Sequence, residues 1–365
     1  MDDIGWMARA IALAARGRGL TSPNPMVGAV VVRDGVLVAE GFHERAGSAH
    51  AEAAVLARAG ERARGATLYV NLEPCNHSGR TPPCVDAIVR AGIRRVVSAT
   101  RDPNPRVTGG GAAALRAAGV EVTTGLLEPE ARELNRVFFT AVERQRPHVT
   151  MKWAMTLDGK IAAFDRASRW ITGPAARLEA HRLRSQSDAI VTGIGTVLAD
   201  DPALTVRLDR PWPREPYRVV VDSRARLPLR AAMLGAGTRE RILVAVGEDA
   251  PAPRVAALES AGVTVLQCKS GGGRVDLVDV CDRLYALDVT AVLLEAGSGL
   301  GGAFIEAGLV DRVAVFMAPM VLGGAEAPSP AGGAGLGLDE AVRLVDLSAR
   351  PLGGDWLIEA NVSRP

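Results

Sequence analysis

The stretch HAEAAVLARAG (His50–Gly60), read together with EPCNHSGRTPPC (Glu73–Cys84), decides how the first half of the chain is built. His50, Ala51 and Glu52 form an H-x-E triplet at a predicted helix N-terminus. A strand predicted over TLYVNL (67–72) delivers Cys75 from its C-terminal end, and a helix from about Pro83 to Gly92 carries Cys84 in its first turn. One imidazole and two thiolates give three ligands for a tetrahedral Zn²⁺ and leave the fourth position to water. Glu52 lies in the same turn as His50, so its carboxylate can reach that water without ligating the metal. A metal-bound water has its pKa lowered to about 7, and a carboxylate beside it can take its proton and later hand protons to a leaving amine.

The order H-x-E…P-C-x-x-C is the signature of zinc nucleobase deaminases. This chain departs from it in one respect: eight residues (NHSGRTPP) separate Cys75 from Cys84, so a loop must bring the second thiol back. Gly79, Pro82 and Pro83 are residue types that such a loop uses. Taken singly, His50 reads as a helix-end histidine and the two cysteines as buried small residues. A disulfide is a third option, but nothing places the chain in an oxidising compartment. His77, inside the loop, is a spare ligand candidate and is expected instead to contact the loop or a substrate.

Around this centre the pattern alternates helix and strand. Residues 2–18 read as an amphipathic helix, and SPNPMVGAVVVRDGVLVAEGFH as two β-branched runs joined by the Asp34-Gly35 hairpin signal. RRVVSAT, the alanine-rich AAALRAAG and VEVTTG continue the alternation, and a helix is expected at about 129–145. The metal would then sit between two helix N-termini at the carboxyl ends of strands, where open sheets place their sites. Asn24, between two prolines, is either a substrate contact or an Asn-Pro turn. After the charged stretch ERQRP a fresh strand begins, so the domains are expected at 1–146 and 147–365.

Composition narrows the class. The chain has 365 residues, 48% of them hydrophobic, and a net charge of +2, so nothing calls for a polyanionic partner. No apolar run is long enough to span a bilayer, and the acidic start MDD is unlike a signal peptide; a cytoplasmic protein is expected. Association with further copies of itself is expected, with no nucleic-acid or membrane partner. Cys268 and Cys281 read as buried apolar residues. Of 43 basic residues only three are lysines, and two of these, Lys152 and Lys160, fall within nine residues in MKWAMTLDGKIA. That pair points to an ammonium needed there, with chance clustering as the alternative.

The second half carries polar groups at strand ends. DAIVTGIGTVLADDPALTVR runs from a buried strand through a glycine turn to Asp200 and Asp201, and RVVVDSRARLP ends a strand at Asp222-Ser223. In TAVLLEAGSGLGGAFIEAG a strand ends at Glu295, and Gly297, Gly299 and Gly302 satisfy G-x-G-x-x-G between strand and helix. Such a turn lets backbone amides approach a phosphate. No acidic residue ends a following strand to hold a ribose hydroxyl, so a standard Rossmann NADH unit is unsupported; NADPH on another α/β sheet, or a glycine turn without ligand, remain. The run 323–339 reads as a surface loop.

These residues together resemble the bifunctional deaminase/reductase family of riboflavin biosynthesis. The resemblance runs through PNPMVGAVVV, HAEAAVL, EPCNHSGRTPPC, MKWAMTLDGKIA, SRWITG, DAIVTGIGTVLADDPALTVR, VVVDSRARLP and LLEAGSGLGG. It implies an α/β protein with an N-terminal cytidine-deaminase-like domain and a C-terminal dihydrofolate-reductase-like domain. The first would deaminate 2,5-diamino-6-ribosylamino-4(3H)-pyrimidinone 5′-phosphate, and the second would reduce the ribosyl group to ribityl with NADPH. By match to the family's motifs, Zn²⁺ falls to His50, Cys75 and Cys84, with Glu52 as proton shuttle. Cofactor contacts fall on Ala154, Trp170, Thr196, Asp200 and Ser223, and on Gly297, Ser298, Gly299, Leu300, Gly301, Gly302 and Ala303. Substrate contacts fall on Ser168, Arg184, Leu204, Arg207 and Glu295, with Lys152 nearby. Arg184 and Arg207 offer forked guanidinium groups suited to the 5′-phosphate.

Ala29, Asn76 and Arg169 depart from the residues common at their positions (cysteine, serine and lysine), and AAFDRASRW is less family-like than its flanks. Three rival readings remain. A nucleic-acid deaminase would need aromatic platforms, and aromatics are only 4%. A structural zinc site would need a fourth protein ligand. A reductase half retained only for assembly would not bind nicotinamide.

Overall fold

Alternation of β-branched strands with alanine-rich helices yields two large sheets and a two-stranded ladder in the computed structural model, which describes residues 1–76, 82–104, 107 and 110–363. Of the loop positions named above, His77 and Gly79 lie outside the described residues. The chain divides into two units, Met1–Gln145 and Arg146–Pro365.

In the first unit the elements run α1 (Asp3–Ala14), β1 (Gly28–Arg33), β2 (Val36–Phe42), α2 (Ala51–Ala59), β3 (Thr67–Val70), α3 (Cys84–Arg90), β4 (Arg95–Ser98), α4 (Gly111–Ala117), β5 (Glu121–Thr124), α5 (Glu128–Leu134) and α6 (Arg136–Arg144). The sheet order is β2-β1-β3-β4-β5. β1 is antiparallel to β2 and β3, whereas β3, β4 and β5 are parallel. The period-2 alternation of each strand feeds two cores. Ala29, Val31, Leu68, Val70 and Val96 meet Val55, Leu56, Val85 and Ile88 on one face, while Val30, Val32, Tyr69 and Val97 meet Trp6, Met7 and Ala10 of α1 on the other.

The single helix expected at 129–145 is two helices. Asn135 interrupts it because its buried side chain pairs with distant backbone: Oδ1 accepts from Met26 N at 2.8 Å and Nδ2 donates to Met26 O at 2.9 Å. Asn71 donates to the same carbonyl at 2.9 Å and accepts from Gly28 N at 2.8 Å. Two buried amides thus pin the start of β1, consistent with the rule that buried polar groups find partners.

The second unit contains β6 (His148–Thr156), α7 (Pro174–Ser185), β7 (Ala189–Gly193), α8 (Ile194–Asp200), β8 (Tyr217–Val221), α9 (Ala232–Gly235), β9 (Ile242–Gly247), α10 (Ala252–Ser260), β10 (Thr264–Cys268), β11 (Ser270–Gly271), β12 (Arg274–Val275), α11 (Leu277–Ala286), β13 (Ala291–Leu294), α12 (Ser298–Glu306), β14 (Arg312–Ala318), β15 (Leu344–Leu352) and β16 (Asp355–Val362). Nine strands align as β10-β9-β8-β7-β13-β6-β14-β16-β15, parallel from β10 to β14 and closed by the antiparallel β16 and β15. β11 and β12 pair as a separate two-stranded ladder. Parallel strands covered on both faces read as continuous apolar runs: Ala189, Val191 and Val219 enter one core, and Ile190 and Val220 enter the other.

The 323–339 run is largely exposed but also packs on α12: Gly332 N donates to Ser298 O at 2.9 Å. A Cβ at Gly302 would lie 1.7 Å from Gly332 O, and one at Gly301 2.5 Å from Pro330 O. Close backbone packing therefore accounts for Gly302, the last glycine of the G-x-G-x-x-G turn, and for Gly301 beside it. Cys268 and Cys281 are buried, as expected.

The second unit opens on a buried ion pair. Arg146 donates to both carboxylate oxygens of Asp311, at 2.8 and 2.7 Å, and Asp311 also accepts from Val149 N. Burial alone would push the Asp311 carboxyl up, but the hydrogen bonds and charge of Arg146, together with His148 and the Val149 amide, hold it below its ordinary value. Removing one partner of such a pair leaves an uncompensated buried charge. Asp311→Ala is therefore expected to destabilise the second unit by about 3 kcal/mol, read by calorimetry as a lowered transition for that unit alone.

Candidate active sites

In the first unit, three elements converge. His50 is the residue immediately before α2, with extended backbone, and Cys84 is the first residue of α3. Cys75 follows β3, carried by a segment that Glu73 anchors: its carboxylate accepts from Ala112 N at 2.8 Å and Asp102 N at 3.2 Å. Gly111 presses on the same segment, since a Cβ there would come within 1.8 Å of Pro74 O.

The His50 Nδ1 lies 3.2 Å from Cys84 Sγ and 3.6 Å from Cys75 Sγ, and all three atoms fall within 4.8 Å of one another. A tetrahedral zinc with bonds of about 2.0–2.3 Å requires ligand atoms spaced about 3.5 Å apart. The donor set and spacing fit such an ion. The two thiols share a proton: hydrogen bonding from Cys84 favours a Cys75 thiolate, at about 4, while the same bond and burial push Cys84 up. A soft divalent cation suits that pair.

Glu52 is 3% exposed. Burial raises its carboxyl to about 6, with the Cys75 thiolate adding to the rise and His50 opposing it. Nearby, the buried His43 stacks edge-on to His50 at 5.7 Å, and its ring nitrogens meet Ala49 O at 3.1 Å and the Asn24 amide at 3.3 Å. Asn24 also forms the turn, its N–H donating to Thr21 O. Sequence reasoning missed His43, whose only signal was its position at the end of β2.

In the second unit a cavity of about 470 Å³ opens at the carboxyl ends of β6, β7 and β13. It gathers Ala154, Trp170, Thr196, Asp200 and Gly297 from the expected cofactor set, and Ser168, Arg184, Leu204, Arg207 and Glu295 from the expected substrate set. Ser223 lies away from this lining; its Oγ accepts from Val275 N at 3.0 Å. Ser298, Gly299, Leu300, Gly301, Gly302 and Ala303 form the first turns of α12 behind Gly297.

At the floor sits a buried carboxylate with two cations. Arg184 donates to Glu295 through Nε at 2.6 Å and Nη2 at 2.9 Å, and Lys152 Nζ stands 3.7 Å from the same group. The Arg184 fork is thus engaged by Glu295 while the side chain still lines the cavity. Burial would push Glu295 up, but Arg184 and Lys152 outweigh it and hold it at about 2. Of the lysine pair, only Lys152 faces the cavity; Lys160 donates to Ala327 O at 3.1 Å. Asp200 accepts from Ser168 Oγ at 3.0 Å, and its carbonyl accepts from Arg169. Trp170 is 67% exposed beneath the Arg177 guanidinium, 4.6 Å from its ring. Arg177 was not expected from the sequence.

Comparison with known proteins matches both units. Residues 1–100 match the cytidine and deoxycytidylate deaminase zinc-binding region, and 147–358 match the RibD C-terminal domain. The chain is 44% identical over its full length to the riboflavin biosynthesis protein RibD of Actinobacillus pleuropneumoniae, covering 96% of that protein. It is 45% identical to that of Aquifex aeolicus over 88% of each chain. Among solved structures, Acinetobacter baumannii RibD superposes with a TM-score of 0.89 at 39% identity, covering 99% of both chains. The Thermotoga maritima diaminohydroxyphosphoribosylaminopyrimidine deaminase/5-amino-6-(5-phosphoribosylamino)uracil reductase gives 0.85 at 36% identity, covering 99% of this chain and 98% of that one.

The Glu295 cluster has a pH signature. A carboxyl held below its ordinary value contributes stability that is complete above that value and is lost as pH falls through the held one. That window runs from 4.5 down to about 2. Urea unfolding of Glu295→Gln is expected to lose stability less steeply across this window than the unaltered chain, while starting lower at neutral pH by about 3 kcal/mol.

Proposed function

The chain belongs to the RibD family and is a bifunctional deaminase and reductase of riboflavin biosynthesis; on that premise we propose how its residues divide the work. The observation that carries the proposal is the convergence of His50, Cys75 and Cys84 beside a buried carboxylate outside the ligand set. These three residues hold Zn²⁺, and the substrate is 2,5-diamino-6-ribosylamino-4(3H)-pyrimidinone 5′-phosphate. The ion supplies Lewis acidity and a water acidic enough to react near neutral pH. Glu52 takes a proton on one side of the reaction and returns it to the leaving ammonia on the other. His43 and Asn24, hydrogen-bonded to each other beside His50, line the approach and orient the ring.

In the second unit, residues of α8 and the N-terminus of α12 would hold NADPH, which would supply hydride. Thr196, Asp200 and Gly297 hold it against the substrate, and the α12 amides favour its phosphates. Trp170, exposed and flanked by Arg177, offers an aromatic face to the nicotinamide cofactor. Glu295, fixed by Arg184 and Lys152, meets the polar side of the deaminated pyrimidine. Arg207, whose guanidinium is exposed at the rim, takes the 5′-phosphate. The product is 5-amino-6-ribitylaminouracil 5′-phosphate.

The decisive experiment is mass spectrometry of products from the diaminopyrimidine ribosyl phosphate, with and without NADPH. Replacement of the amino group by oxygen in both, and gain of two hydrogens only with NADPH, is the expected result; no deamination by zinc-loaded protein overturns the reading. Glu52→Gln is expected to retain zinc and lower ammonia release by about 10²–10⁴-fold, while still reducing pre-deaminated substrate. Asp200→Ala is expected to do the reverse, slowing reduction by about tenfold or more and sparing ammonia release.

A further inference from the structure

Two side chains one turn apart on α7, His181 and Arg184, close on the same short segment, Leu204–Arg207. Arg207 N donates to His181 Nδ1 at 3.2 Å, and Arg184 Nη1 donates to Thr205 O at 3.1 Å. Within the segment, Arg207 Nη1 donates to Thr205 Oγ1 at 3.2 Å. The segment belongs to no helix or strand, so no ladder fixes its backbone. Leu204 adopts φ +52°, a left-handed conformation that a branched side chain rarely takes and that surrounding contacts must maintain. Leu204 and Arg207 line the reductase cavity, whereas His181 stands behind them.

We propose that His181 is a positioning residue for the reductase: by accepting the Arg207 amide it fixes that arginine at the cavity mouth and so sets affinity for the phosphorylated substrate. This rests on the assignment of Arg207 to the 5′-phosphate. The role requires a ring nitrogen free of a proton, and the surroundings enforce one. Facing the ring are Arg184 from its own helix, Arg207 from the clamped segment and Glu295 from the end of β13, the last already neutralised by Arg184 and by Lys152 of β6. Burial and the two guanidiniums, opposed by Glu295 and the Thr205 backbone, hold the imidazole at about 4, so the ring is uncharged at neutral pH. The Arg207 N–H directed at Nδ1 makes that nitrogen the acceptor. Arg184 cannot replace it, because its fork is already committed to Glu295 and it reaches only Thr205.

The test is steady-state reduction of 5-amino-6-(5-phosphoribosylamino)uracil at saturating NADPH. His181→Phe, which fills the space but cannot accept, is expected to raise KM on the order of tenfold with kcat within about twofold, the cost of an unpaired amide. His181→Asn, whose Oδ1 takes the place of Nδ1, is expected to keep KM within about threefold. An unchanged KM in His181→Phe, an equal rise in His181→Asn, or a loss confined to kcat overturns the proposal. Should the phenyl ring prevent folding, His181→Ala supplies the same comparison. Arg207→Ala, run in parallel, separates the two readings. A KM raised there but not in His181→Phe removes the positioning role alone, and a KM unchanged in Arg207→Ala removes the phosphate assignment and this proposal with it.

Discussion

A carboxylate withdrawn from water is the constraint around which each unit is arranged. Glu52 and Glu295 are both buried, and burial pushes both carboxyls upward. What differs is the company each keeps. Glu52 has an imidazole on one side and a thiolate on the other, so the upward push survives and the group stands at about 6. Glu295 has a guanidinium and an ammonium, so the same push is reversed and the group stands at about 2. One environment makes a carboxyl that exchanges protons near neutrality, and the other makes a fixed negative charge. Pairs of titratable groups whose surroundings drive them apart mark acid–base roles.

Holding such groups demands rigid frames, and each unit builds one from backbone contacts that span long stretches of chain. In the first, Glu73 and Gly111 lock the segment bearing Cys75 against the start of α4, while Asn71 and Asn135 lock the segment before β1. In the second, Gly301 and Gly302 let the 330–332 chain lie directly on α12, so the helix whose N-terminus faces the cavity is backed by a second layer. Ligand groups on such frames keep their geometry because a shift would break several buried contacts at once.

What the sequence made legible was local order. H-x-E followed by two separated cysteines, strands ending in polar residues, and the Asp34-Gly35 turn all have short-range signatures, and the family resemblance tied them together. What it hid depends on partners far away in the chain. Nothing local announces that Asn135 breaks a helix, because its partner Met26 lies 109 residues earlier. Nothing local announces that the Arg184 fork pairs with Glu295, 111 residues away. Gly302 fits a phosphate motif and a packing requirement equally well until the 330–332 backbone is placed beside it. His43 carried no motif at all.

The lysine pair shows the same limit from the other side. Scarcity singled out Lys152 and Lys160 together, yet they do different things. Lys160 ties its turn to Ala327, a contact that any long donor could make. Lys152 stands 3.7 Å from Glu295 and 5.6 Å from the Phe316 ring, its side chain largely shielded from solvent, and burial pulls its ammonium below its ordinary value, with Arg184 adding to the fall and Glu295 opposing it. An arginine could not do this, because its planar guanidinium stays charged under all such pressures and needs room for five donors. Arg184 already fills the forked position beside Glu295, so the remaining place needs a compact point charge whose affinity for its proton can be tuned. Composition found the right residue, and only the geometry of the buried carboxylate explains why it is a lysine.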